Sequence, residues 1–169
     1  MLPALRRCPA GRTGRPAHYR RRVLAVLVHR LDPDLPVPTY SRSGDAGADL
    51  YARHDVTLAA RGGRALVPTG LIVAIPPGHA GFVQPRSGLA LRHGVTCLNT
   101  PGLIDPGYRG ELSVLLVNTD PDDDYEVHRG DRIAQLVIQR VEAADFRVTE
   151  LADLPAAQRG DGGFGHTGR

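Results

Sequence analysis

Residues 64–83, RALVPTGLIVAIPPGHAGFV, decide the fold class of this chain. Two apolar runs are separated by the Pro-Thr-Gly of residues 68–70, and a third run follows the Pro-Pro-Gly turn of residues 76–78. Short runs of Val, Leu and Ile that are bounded by Pro and Gly are typical of β-strands. The stretch therefore predicts a strand over residues 64–75 with a break in its middle, and a second strand over residues 79–83.

The same pattern of short apolar runs and turns continues along the chain. Further strands are predicted at residues 23–29, 48–52, 111–118, 125–128, 133–141 and, as the last, 146–149. Helical periodicity is weak, and only single helical turns are predicted, at residues 88–92 and 151–158. Many short strands at this spacing predict an all-β barrel or sandwich.

Both ends of the chain differ in composition from the part between them. Residues 1–22 carry seven Arg and no acidic residue, which predicts a basic, disordered extension. Residues 159–169 contain five Gly and a single bulky apolar residue, which predicts a flexible tail. The segment between them, residues 23–158, is long enough for one domain with its own core.

The charge and the residue types exclude several functions. Without residues 1–22, 14 Arg stand against 18 acidic residues, so nucleic acid is not the expected partner. The chain has no Lys, which excludes a Walker-type phosphate loop and a Lys nucleophile. No apolar run has membrane-spanning length, and Cys8 and Cys97 form no metal or disulfide pattern. We therefore expect a cytoplasmic protein that does not enter a membrane.

Residues 85–90, PRSGLA, are a first candidate site for phosphate. Ser87 is predicted to be a helix N-cap, and Gly88 would let a ligand approach the backbone. Arg86 adds a fork of donors that suits phosphate. An ordinary helix cap beside a surface Arg would explain the same residues, so both interpretations stay open.

Residues 99–111, NTPGLIDPGYRGE, carry the residue types that nucleotide chemistry needs. Asn99 offers a donor and an acceptor that match the edge of a pyrimidine base. Asp105 can act as a general base on water, and Tyr108 can pack flat against a sugar. An ordinary turn in which the Asp bonds its own backbone is the alternative.

Two later segments complete the set of candidates. Gln135 interrupts the apolar strand of residues 133–141, which indicates a hydrogen-bonding role, although a satisfied core amide is equally compatible. In the tail, the ring of Phe164 could stack on a base while its neighbours bond phosphate. Arg-Gly-Asp occurs at residues 129–131 and 159–161, but so short an adhesion motif arises by chance.

Together with residues 46–50, AGADL, these four segments resemble the five ordered motifs of the trimeric dUTP pyrophosphatases (dUTPases). The resemblance keeps the order and the spacing of the family over residues 46–168. It implies a jelly-roll-like β-barrel that forms a homotrimer, with three active sites that are each built from all three subunits. It also implies hydrolysis of dUTP to dUMP and pyrophosphate, which limits uracil in DNA and supplies dUMP for thymidylate synthesis.

The resemblance also assigns roles to residues. Asp105 would activate the water that attacks the α-phosphorus, and Tyr108 would pack on the deoxyribose and exclude a 2′-hydroxyl. Uracil would be bound by Asn99 and by the hairpin that includes Leu103, Ile104 and Ser113. The phosphates would be held by Arg86, Ser87, Gly88 and Gln135. Asp49 would support the site, and the closing tail of another subunit would supply Arg159, Phe164, Gly165, His166 and Thr167.

Two points about ligands follow from the same resemblance. Magnesium would bridge the three phosphates and be met mainly by phosphate and water, so we assign no protein metal ligand. The family usually has Ser where this chain has His166, which leaves the contribution of that position open.

Three other functions compete with dUTP hydrolysis. The dCTP deaminases share the fold, but Leu115 stands where they need a catalytic Glu, and Tyr108 stands where they carry Trp. Asp105 and the tail disfavour a catalytically silent binding module. A nucleic-acid binder would have to use residues 1–22.

Overall fold

The computed structural model describes residues 23–157, and this part of the chain is built mostly of short strands. Its elements are β1 (Leu27–Arg30), β2 (Ala48–Tyr51), β3 (Val56–Leu58), β4 (Arg64–Pro68), β5 (Leu71–Ala74), β6 (His79–Pro85), α1 (Ser87–His93), β7 (Val95–Cys97), β8 (Gly102–Ile104), β9 (Ser113–Asn118), β10 (Tyr125–Val127), β11 (Arg132–Arg140) and a 3-10 helix (Leu151–Asp153). The predicted all-β class is confirmed. The predictions for residues 1–22 and 158–169 lie outside the described residues.

Within residues 23–157 the strands pair only in the antiparallel sense, and most neighbours in a sheet are distant in the sequence. The largest sheet has the order β2-β11-β6-β8, and a second has the order β4-β9-β7. Two further pairs, β1 with β5 and β3 with β10, complete the described part. Within residues 23–157 these four sheets do not close into one barrel, so the jelly-roll-like architecture is an open one here.

Apolar side chains from the two larger sheets form most of the core, and the shorter strand pairs add Leu58, Leu71 and Val127. Leu50, Val83, Leu116 and Ile133 are at most 4% exposed and belong to one buried cluster. Burial of such side chains contributes on the order of 25 cal/mol per Å² of apolar surface, which allows a core without Trp. Every buried side-chain N or O atom of the described residues has a hydrogen-bond partner.

The break between β4 and β5 is a turn that holds a distant part of the chain. Gly70 has φ +73°, a left-handed conformation that favours glycine. Thr69 is buried, and its Oγ1 donates to the carbonyl of Leu112 at 2.6 Å, while the amide of Leu112 donates to Leu71 at 2.7 Å. The turn therefore fixes the point at which the chain leaves residues 99–111 and enters β9.

Several predicted elements needed correction. The predicted strand at residues 23–29 begins only at Leu27, and residues 146–149 form no strand because they are exposed and pair with no sheet. The predicted helical turn at residues 151–158 is the short 3-10 helix alone. Strands β3, β7 and β8 were not predicted, since three residues rarely show a periodicity, whereas the equally short β10 was predicted at residues 125–128.

Candidate active site

Residues 102–113 surround a surface pocket of about 240 Å³. Its lining residues are Leu66, Leu103, Ile104, Asp105, Tyr108, Glu111 and Ser113. Strand β8 is held in register with β6 through the pairs Gly102 with Val83 and Ile104 with Gly81. Asp105 follows β8 directly and is exposed, so its carboxylate is accessible to a ligand or to water. The pocket thus brings together five of the residues that the sequence singled out.

The ring of Tyr108 is held against the backbone of its own loop. The amide of Tyr108 donates to the carbonyl of Asp105 at 3.1 Å, and the phenol oxygen donates to the carbonyl of Glu111 at 3.0 Å. A Cβ at Gly110 would lie 2.7 Å from Cζ of the ring, so only glycine allows this approach. The ring is 43% exposed in this fixed position and can serve as a flat wall.

Asn99 lies beside the start of β8 and does not line the pocket. A Cβ on Gly102 would be 3.4 Å from Nδ2 of Asn99 and 3.3 Å from Cβ of Val83. The absence of a side chain at Gly102 therefore leaves room for the amide of Asn99, which is exposed to a ligand.

Two of the other predicted residues, Arg86 and Gln135, lie against the buried carboxylate of Asp49. Ser41 Oγ donates to Oδ2 at 2.9 Å, and Gln135 Nε2 donates to Oδ1 at 3.2 Å. Arg132 Nη1 approaches Oδ2 at 3.4 Å, and Arg86 Nε approaches Oδ1 at 3.5 Å. The side chain of Asp49 is only 3% exposed, so these four donors replace the water that burial removes.

The surroundings of Asp49 keep it ionised. Burial acts to raise its pKa, but the hydrogen bonds from Ser41 and Gln135, the charge of Arg86 and the bond from Arg132 together lower the pKa below its ordinary value of 3.8. The carboxylate is therefore negative at neutral pH and holds both guanidinium groups in place. Ser41 and Arg132 are members of this cluster that the sequence did not single out.

The structure changes the interpretation of three residues in this group. The prediction that Ser87 is an N-cap is wrong, because α1 begins at Ser87 and its N-cap is Arg86, which makes no side-chain cap bond. Gln135 pairs with Asp49 across β11 and β2, and its Nε2 group, which has two N–H donors, uses one of them on that carboxylate. Gly88 leaves room for the side chain of Arg92, because a Cβ at this position would lie only 3.0 Å from the Arg92 guanidinium.

The residues of the Asp105 pocket and those of the Asp49 cluster lie near opposite ends of β6. Ile104, just before Asp105, pairs with Gly81, whereas Arg86 follows Pro85 at the end of the same strand. Four residues of extended strand span about 13 Å. The Asp105 pocket and the Asp49 cluster are therefore well separated within one chain.

The acidic and histidine side chains do not build a metal cage in the described part. Among residues 23–157, no three His, Cys, Asp or Glu side chains are grouped so as to hold a metal ion. Both oxygens of Asp49 accept bonds from protein donors. The predicted tail contacts of Arg159, Phe164, Gly165, His166 and Thr167 lie outside the described residues.

A comparison with known protein families decides the relationship. The family model described as dUTPase matches residues 34–168. The chain belongs to the dUTPase family. Among the described residues of this dUTPase-family protein, no helix is long and apolar enough to cross a membrane.

Curated relatives and solved structures agree with this membership. The deoxyuridine 5′-triphosphate nucleotidohydrolase of Thermobifida fusca (strain YX) is 58% identical over 143 residues, or 85% of this chain and 78% of the relative. That of Mycobacterium bovis (strain BCG / Pasteur 1173P2) is 54% identical over 146 residues, with 85% and 94% covered. The dUTPase of Staphylococcus bacteriophage 80alpha, solved with dUPNHPP, has a TM-score of 0.78 at 26% identity and covers 87% of this chain and 100% of the phage chain. The fold of this protein is thus the jelly-roll-like fold of that family.

The charge on Asp49 should appear in the pH dependence of stability. Because its pKa is lower in the folded protein than the ordinary 3.8, the ionised carboxylate stabilises the fold above pH 3.8 and loses this effect as the pH falls through the lowered pKa. Asp49→Asn leaves Arg86 and Arg132 without a counter-charge, and we expect the free energy of unfolding to fall by about 1–3 kcal/mol at pH 7. The difference from wild type should shrink below pH 3.8.

Urea unfolding at a fixed protein concentration, from pH 7 down to pH 3, measures this difference. Asp122→Asn is the matched control, because the Asp122 side chain is 78% exposed and lies outside the cluster. A deficit in Asp49→Asn that stays constant across this range would contradict the assigned role of the charge.

Proposed function

We propose that this protein hydrolyses dUTP to dUMP and pyrophosphate. The observation that carries the proposal is the pocket that groups Asp105, Tyr108, Leu103, Ile104 and Ser113 in a chain of the dUTPase family. The names of the curated relatives support the same substrate and reaction class. In the cell, this reaction would limit uracil incorporation into DNA and supply dUMP for thymidylate synthesis, in the cytoplasmic setting predicted from the sequence.

Asp105 is proposed to carry the proton transfer. Its exposed carboxylate would accept a hydrogen bond from a water molecule and take a proton as the water oxygen bonds to the α-phosphorus. The bond from the α-phosphorus to the bridging oxygen then breaks, and pyrophosphate leaves with that oxygen. Alignment of the water with the leaving oxygen supplies much of the rate enhancement.

The pocket walls are proposed to select the base and the sugar. The amide of Asn99 and the hairpin residues Leu103, Ile104 and Ser113 would contact uracil and leave no room for a 5-methyl group. The fixed ring of Tyr108 would pack on the deoxyribose, where a 2′-hydroxyl would collide with it. The bond from the Tyr108 phenol to the loop backbone supports this role, because a wall that selects must not move.

The phosphates are proposed to bind at the other end of β6. Arg86, Ser87, Gly88 and Gln135 would hold them, with Arg86 oriented by Asp49. Mg²⁺ would be held mainly by the substrate phosphates and water, and we assign it no protein ligand. When bound, the ion would neutralise phosphate charge.

A homotrimer with shared sites accounts for the separation of the two groups. About 13 Å of β6 separates Gly81, which pairs with Ile104 next to Asp105, from Pro85, which precedes Arg86, and in the proposed trimer one substrate would meet the two groups from different copies. The segment after β11 supports an assembly, because Phe146 and Val148 are 93% and 103% exposed and would be buried against a neighbour. The tail residues 159–167 are proposed to close the site from another subunit.

A panel of four nucleotides tests the reaction, the base and the sugar together. With Mg²⁺ present, we expect pyrophosphate release from dUTP to exceed that from dTTP, UTP and dCTP by about 100-fold or more, because each analogue violates one contact of the pocket. Comparable release from dTTP would remove the proposed uracil pocket. Ammonia release from dCTP would favour a deaminase instead.

The role of Asp105 is tested by Asp105→Asn. Loss of the base should lower kcat by about 10²- to 10⁴-fold, while the affinity for dUTP measured by calorimetry should change little. Asp122→Asn, which changes an exposed Asp that does not line the pocket, should keep wild-type turnover. Undiminished kcat in Asp105→Asn would show that another group activates the water.

The shared site predicts complementation between inactive variants. Mixed trimers of Asp105→Asn and Arg86→Ala would contain some sites with both residues intact. Mixing the two proteins after unfolding and joint refolding should therefore restore pyrophosphate release well above that of either variant alone. Strictly additive activities would indicate that each site belongs to one chain.

A further inference from the structure

We propose that Arg53 and Glu111 are positioning residues for the sugar-contacting ring of Tyr108, so that discrimination between deoxyribose and ribose depends on their ion pair. The inference rests on the proposed function, because it concerns the selectivity of that same pocket. Arg53 was not singled out from the sequence, and Glu111, the last residue of the 99–111 segment, was given no role there.

The carboxylate of Glu111 is fixed from two sides. Its Oε1 accepts a 2.8 Å hydrogen bond from the amide of Gly70, in the turn between β4 and β5. Arg53 Nη1 lies 3.3 Å from Oε1 and 3.4 Å from Oε2. The two side chains are 27% and 26% exposed, so solvent only partly screens the pair. Glu111 therefore ties the end of the loop to the turn that begins at Pro68.

The backbone of Glu111 in turn holds Tyr108. The phenol donates to the Glu111 carbonyl at 3.0 Å, and the ring lies against Gly110. On the other side of Glu111, the carbonyl of Leu112 accepts the hydroxyl of Thr69 at 2.6 Å. A displacement of Glu111 would thus move the Tyr108 ring, whereas Leu112 would keep β9 in place.

Arg53 is itself held in a defined position. Its amide donates to the carbonyl of Pro68 at 2.8 Å, and its Nε lies 3.8 Å from Oδ2 of Asp32. Asp32 also bonds the guanidinium of Arg129, whose Nη1 donates to the Arg53 carbonyl at 3.2 Å. The guanidinium of Arg53 therefore lies between the carboxylates of Asp32 and Glu111, and of these two residues only Glu111 lines the pocket.

A role in local stability alone would make a different prediction from a positioning role. If the pair only strengthens the turn, its loss would lower the melting temperature and leave the ratio of kcat/KM for UTP to that for dUTP unchanged. If the pair positions Tyr108, a looser ring would admit the 2′-hydroxyl and raise this ratio. Because both rates come from one sample, the ratio does not depend on the folded fraction.

The test uses the full-length protein with Arg53→Met, Glu111→Gln and the double variant. Gln can still accept the Gly70 amide, so Glu111→Gln removes mainly the charge. We expect each single variant to raise the UTP to dUTP ratio of kcat/KM by about three- to tenfold, mostly through a lower KM for UTP, because the looser ring admits the 2′-hydroxyl. The double variant should be no worse than the more affected single variant, since both changes break one interaction.

Two further variants serve as controls. Arg53→Lys should keep a ratio close to wild type, because a single nitrogen of Arg53 contacts both Glu111 oxygens and an ammonium can do the same. Arg61→Met removes an Arg with a carboxylate partner, Asp122, at 3.7 Å and should leave the ratio unchanged.

An unchanged ratio in Arg53→Met and Glu111→Gln, with wild type hydrolysing dUTP, would overturn the inference. Strictly additive effects of the two changes would overturn it as well. A wild-type protein that releases no pyrophosphate from dUTP would instead overturn the proposed function, so the two failures are distinguishable.

Discussion

The largest sheet and the proposed phosphate site both depend on the hydrogen bonds and ion pairs of the buried Asp49 carboxylate. It lies on β2, it is paired with Gln135 on β11, and it draws in the guanidinium groups of Arg86 and Arg132. A negative charge at this depth is tolerated because four donors, including Ser41, surround it. The same bonds orient Arg86, so the stability of the sheet and the geometry of the proposed phosphate site rest on one group.

A second constraint acts on the other half of the site. In the turn between β4 and β5, the hydroxyl of Thr69 donates to the carbonyl of Leu112, and the amide of Gly70 donates to the carboxylate of Glu111. These two bonds hold the C-terminal end of the loop that carries Asp105 and Tyr108. Strand β8 fixes the entry of the same loop through its pairing with β6. Because the loop is held at both ends, it can present the carboxylate of Asp105 and the flat ring of Tyr108 in fixed positions.

Sequence patterns predicted much of this architecture and missed parts of it for identifiable reasons. Strands such as β9 and β11 were predicted because six to nine residues are enough to show an apolar run. Three of the four three-residue strands, β3, β7 and β8, were not predicted, and the apolar segment at residues 146–149 predicts a strand although it pairs with no sheet in the described residues. Strand formation depends on a neighbour that supplies hydrogen bonds, and local sequence does not contain that neighbour.

By itself, the sequence determined the all-β class, the family and the candidate residues, because turn residues, apolar runs and ordered motifs are local properties of the chain. Only the tertiary structure decided how those residues are grouped. It placed an amide donor of Gln135 on Asp49, placed Ser87 after the helix cap, and tied Glu111, the last residue of the loop, to Arg53. These arrangements depend on contacts between residues that are 41 to 86 positions apart, such as Gly70 with Glu111 and Asp49 with Gln135, and long-range pairing is set by packing rather than by local pattern.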